Sequence, residues 1–177
     1  MFYNRSLMVM CTIAFLSSTN VLAQRELNQQ QKPVKEKSQS VGEDIRSSVR
    51  RALGSGDIDL VEVMEISKST LYRAHVTPEV LEASWSTKLI IRRLGAEQIN
   101  KVWIALKAAS IQYDSDGSEI RRGIVFYSKA SNGGKQERVC SMYFDQTGRY
   151  GRINNIGVSF GDDFFSIVKS TLLGTMK

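Results

Sequence analysis

With 24 Lys and Arg against 18 Asp and Glu, the 177-residue chain has a formal net charge of +6. Apart from the pairs Arg50-Arg51, Arg92-Arg93 and Arg121-Arg122 the basic residues are scattered, which describes a solvated surface and speaks against specific nucleic-acid binding. One histidine and two cysteines exclude a histidine-rich metal centre and a disulfide framework, and no internal repeat, glycine-rich phosphate loop or nucleophile motif occurs.

Residues 1–23 read as a secretory signal. Arg5 is the positive start, Leu7 to Leu16 the apolar stretch, and Ala23 the small residue at the cleavage point. The apolar run is about half the roughly 20 residues a membrane span needs, so the mature chain is expected to have no transmembrane segment and to be exported, periplasmic or secreted. Cleavage would remove Cys11 and leave Cys140 alone. Residues 24–42, dominated by Gln, Lys, Glu and Ser, hold too little apolar surface to offset ordering entropy and should form a disordered tether. Residues 43–177 are then a single folded domain.

Within that domain Val41, Ile45, Val49 and Leu53 recur every fourth residue before Gly54, as in a short amphipathic helix packed on its own domain. The β-branched run at 58–66 predicts a strand. Thr77 followed by Pro78 and Glu79 has the chemistry of a helix start, giving one or two turns through Ala83, with Tyr72 and the sole histidine, His75, on the loop that enters it. Residues 85–94 alternate as a half-buried strand. Ile99, Val102, Trp103 and Leu106 mark a helix over 96–111, with Trp103 as its main core anchor. Asp114 to Glu119 lacks the ligand spacing of a calcium loop and reads as a polar turn.

The framework of the domain is 119–160. Three segments, 119–129, 137–146 and 149–160, alternate apolar and polar residues and are joined by a glycine-rich loop and the QTGR turn at 146–149, which predicts a three-stranded meander. Phe164, Phe165, Val168 and Leu172 then form the stripe of a C-terminal helix whose start Asp162 and Asp163 cap. The expected fold is α+β, a two-layer sandwich of a mainly antiparallel sheet against the central and C-terminal helices. One sheet face should meet the helices. The other carries aromatic and arginine side chains, types enriched at interfaces, and Arg121, Tyr127, Tyr143, Arg149 and Arg152 are its expected partner contacts. Cys140 should be a buried apolar residue.

The stretch VTPEVLEASWSTKLII, the helix with its central tryptophan and the hairpin with FDQTGR resemble small exported bacterial proteins of unknown function, some of them similar to immunity proteins that neutralise toxins delivered into the periplasm. The resemblance spans about 57–160 and implies a non-catalytic binding protein, an inhibitor acting by occlusion of a protein partner, without cofactor or metal. Two alternatives stand beside it. One is a small hydrolase using His75 with an acid such as Glu79 or Asp114; the other is a structural component of an envelope or secretion assembly.

Overall fold

The computed structural model describes residues 40–54, 58–72, 74–114, 119–129 and 136–174; the expected signal, nearly all of the tether and the middle of the 114–119 turn lie outside them. Helix α1 covers 40–54, and the four-residue spacing does what it predicts: Ile45, Val49 and Leu53 are buried. Strand β1 (Ile58–Glu65) follows, then α2 (Pro78–Ser84), β2 (Thr87–Arg92) and α3 (Ala96–Ala108). Thr77 caps α2, its hydroxyl accepting from the Val80 amide at 3.4 Å with Pro78 in the first turn. Arg46 on α1 reaches the other end of α3 and donates to the carbonyls of Leu106 and Ala109, at 3.4 and 2.8 Å. A cation thus satisfies acceptors that a helix C-terminus leaves open.

Two boundaries differ from the sequence reading. Helix α3 stops at Ala108, and Ile111, expected in its last turn, instead begins a short strand β3 (Ile111–Tyr113) paired with the end of the meander. The meander itself has four strands: β4 (Arg122–Ser128), β5 (Glu137–Phe144), β6 (Tyr150–Ile153) and β7 (Ile156–Phe160). The segment read as one last strand folds back on itself at Asn154-Asn155, where Asn154 takes φ 52°, a conformation asparagine tolerates better than most residues. Ile156 and Val158 share a parity in sequence with Tyr150, yet the turn sets Tyr150 on the opposite face, paired with Ser159, and it is Ile153 that is buried.

The strands form one antiparallel sheet in the order β2-β1-β4-β5-β6-β7-β3. One face packs on α1, α3 and the C-terminal helix α4 (Phe164–Leu173), burying Val61, Val63, Ile124, Phe126, Met142, Phe144 and Val158 with the helix stripes. At its centre Phe144 meets Phe160, Phe164 and Phe165 with ring centroids 5.6 to 6.3 Å apart, and Phe160 stacks on Phe164 at 4.6 Å. These phenylalanines, not Trp103, are the aromatic anchors. Trp103 is half-buried between α1 and α3, with the Arg50 guanidinium 5.5 Å from its ring centre.

The β5–β6 turn locks α4 to the sheet. The Asp145 carboxylate accepts from the Thr147 hydroxyl and the amides of Arg149 and Tyr150, while Gly148 at φ 74° offers its carbonyl to the Phe164 amide. Asp163 caps α4, accepting from the Ser166 amide and hydroxyl at 3.1 and 2.7 Å.

Candidate functional site

The second sheet face is only partly covered. Residues 66–72 and 74–86, with α2 among them, cross β1, β4 and β5 and bury Met64, Val125 and Tyr143 against Val76 and Leu81, with Ile120 from the approach to β4 completing the cluster. This covering is why β1 is buried on both of its faces. Gly123 lies opposite Tyr143 in the ladder, and a side chain there would press into Leu81 at 2.9 Å. The glycine is therefore what lets α2 approach.

A chain of polar groups runs over this face. The Tyr143 hydroxyl donates to Glu82 of α2, and Arg138 donates to the Tyr143 oxygen at 3.2 Å and to the other Glu82 oxygen at 2.6 Å. Towards the sheet edge the Tyr127 hydroxyl donates to Glu62 at 3.2 Å, and Glu62 pairs with Lys88 at 2.6 Å. Burial raises the Tyr143 phenol well above its ordinary value, and the Glu82 carboxylate adds to it. Burial, then the charge of Glu62, raises Tyr127 as well. Desolvation is the largest effect on Arg138 and works against its charge, but the bond to Glu82 and the nearby Glu82 and tyrosine groups together outweigh it and hold the guanidinium above its usual range. At neutral pH both phenols thus stay protonated and serve as donors, Tyr143 tying α2 to the sheet and Tyr127 tying β4 to Glu62 of β1, which in turn pairs with Lys88 of β2.

Of the five expected contacts, Tyr127 and Arg152 do share this face with Tyr143; Arg152 sits opposite Tyr143 in the β5–β6 register. Tyr143 itself is 2% exposed. Reading it as a surface contact is corrected by α2, which lies on it and takes its hydroxyl. Arg121 is also committed internally: it donates to the Thr70 carbonyl at 2.8 Å and to Glu119 at 2.7 Å, and lies 5.5 Å from the Tyr72 ring centre. It fastens the covering segment down. Arg149 and Arg152 are exposed, and Arg152, together with Arg138, helps to lower the Glu79 carboxyl, whose main stabiliser is the Thr77 hydroxyl.

The sequence reading missed the sheet edge. Strand β2 pairs with β1 on one side and ends the sheet on the other, and Trp85, Leu89 and Ile90 are 43%, 37% and 48% exposed on it or just before it. Ile90 lies opposite Glu62 and so belongs to the second face, whereas Leu89, opposite Val63, belongs to the helix face. Both faces of the strand thus present apolar side chains at a row of backbone groups that no described strand pairs. Arg92 and Arg93 are exposed at its far end, and Lys88 lies 5.8 Å from the Trp85 ring centre. The available signal was Leu89-Ile90-Ile91, three apolar residues in a row in a strand otherwise read as alternating.

His75 forms no ion pair with Glu79 or Asp114 among the described residues. His75 is exposed on the loop before α2 and makes no hydrogen bond or ion pair among the described residues. Asp114 follows β3, at the opposite end of the strand order from β2. Cys140 is buried under the helices, and burial pushes its thiol up to about 12, the opposite of what a nucleophile needs. Among the described residues no group of three or more His, Cys, Asp and Glu could hold a metal ion, and no helix is long and apolar enough to cross a membrane. Comparison of the chain with protein-family models, characterised proteins and solved structures found no match.

Proposed function

We propose that this is an exported, periplasmic or secreted binding protein that acts on a protein partner by occlusion, in the manner of an inhibitor or immunity protein, without catalysing a reaction. The observation that carries the reading is the edge of the sheet. A six-residue terminal strand exposes Leu89 and Ile90 beside Trp85, and such an edge accepts an extended segment of a partner through main-chain hydrogen bonds. The flanking Arg92 and Arg93 favour a partner with acidic groups next to that segment. Trp85 and the arginines are also the residue types that carry most binding energy at interfaces. The polar network behind the edge holds β2 rigid through Lys88 and Glu62, which lowers the ordering cost of association.

Affinity capture from extracts of the producing cells and of their competitors tests this, using the chain that follows the signal, its Ile90→Lys variant and its His75→Ala variant. Wild type and His75→Ala should retain one stoichiometric partner, and Ile90→Lys should lose it at unchanged melting temperature. A partner held equally by Ile90→Lys would contradict the edge, and loss on His75→Ala would move the function to the histidine.

A further inference from the structure

On the helix side of the sheet, α1 and α3 flank an open groove of about 360 Å³, within the size range of small-molecule sites. Leu53 forms its buried wall, Ile99 and Trp103 line it from α3, and Arg50 stands over the Trp103 ring, 5.5 Å from its centre. A second hollow adjoins it, sharing Arg50 and Gly54 and adding Ser47 and Arg51. Both arginines are exposed, and neither makes an ion pair or hydrogen bond among the described residues. Arg46, one turn back, differs in being used up on the α3 carbonyls. An apolar trough thus opens at one end onto two guanidinium groups whose donors are unspent.

Charge complementarity selects the occupant. An apolar molecule alone would leave the guanidinium donors unanswered, and a small inorganic anion would leave the partly exposed Ile99 and Trp103 wet. A carboxylate on a linear acyl chain satisfies both, since its planar head matches the guanidinium fork and its tail buries apolar surface. We propose that the α1–α3 groove binds such an amphipathic monoanion, with the carboxylate on Arg50 and Arg51 and the chain along Leu53, Ile99 and Trp103.

The chain has two tryptophans, so a Trp85→Phe background makes Trp103 the sole indole reporter. Titrating this folded protein with dodecanoate below its micelle concentration should give a saturable change in Trp103 emission. 1-Dodecanol, which lacks the charge, and the Arg50→Gln/Arg51→Gln variant titrated with dodecanoate should each bind at least about tenfold more weakly. Because Arg50 touches the reporter, Asn100→Trp, which fills the groove and leaves both arginines, is read by calorimetry and should abolish binding. No saturable change, equal binding of dodecanol, or unchanged affinity in either variant would overturn the assignment, the last by showing that the acyl chain sticks elsewhere.

Discussion

At the scale of single residues, each face of the sheet holds a buried group in its neutral form, Tyr143 on the second face and Cys140 on the helix face. Tyr143 and Cys140 are both pushed up by burial, and for both the unfolded chain ionises first as pH rises. The consequence has a definite sign. Stability from the neutral thiol is complete below the ordinary cysteine value of 9.0 and declines as pH climbs toward about 12, with Tyr143 adding to the loss above its ordinary 10.0. Urea unfolding should therefore show a midpoint that holds from neutrality to about pH 9 and falls beyond it, and Cys140→Ala should flatten part of that fall. Tyr143→Phe removes the hydroxyl shared by Glu82 and Arg138 while leaving that ion pair, so it should cost about 1–2 kcal/mol at neutral pH by the same measurement. Cys140 was legible in the sequence because a small apolar residue alternating with Met142 and Phe144 can point only inward. Tyr143 was not, because nothing local in the chain says that α2 would return to cover it.

At the scale of elements, periodicity and capping chemistry carried most of the reading. The stripe of α1, the Thr77-Pro78 start of α2 and the aspartate at the start of α4 are local signals, and local physics decides them. The errors fell where a tertiary pairing decided instead. Ile111 satisfies a helical stripe as well as a strand, and only the ladder to Phe160 settles it; at the β6–β7 turn the buried positions switch parity, from Gly151 and Ile153 to Val158 and Phe160, and Ile153 alone carries that signal in the sequence. Two substitutions test these joints. Arg46→Ala takes a charged donor from the end of α3 and should cost about 1 kcal/mol, seen as a lower melting temperature without loss of fold. Gly151 pairs with Phe144 in β6, and a Cβ there would stand 1.9 Å from the Tyr143 carbonyl oxygen. Gly151→Ala must push β5 and β6 apart and should exceed about 2 kcal/mol, read as a much lower denaturation midpoint.

For the whole molecule, the architecture divides labour between the two sheet faces. The helix face supplies the continuous aromatic and aliphatic core, and the other is strapped by 66–86 through Arg121, Tyr143 and Glu82, leaving β2 tied to β1 but unpaired at the margin. The α+β class and the helix-covered face were readable because hydrophobic alternation over 119–160 is strong. The binding surface was readable only as a composition of aromatics and arginines, since sheet order, and hence which strand lies at the edge, arises from pairings between residues far apart in sequence. Three of the five expected contacts, Arg121, Tyr127 and Tyr143, turned out to build the scaffold for that reason, and Trp85, Leu89 and Ile90 took their place as the exposed apolar group. Hydrogen exchange of the free chain and of its complex with the captured partner addresses the central claim most directly. Alternate amides of Thr87 to Arg92 should gain protection on binding, as an added strand requires. Protection confined to other surfaces, with β2 exchange unchanged, would contradict it.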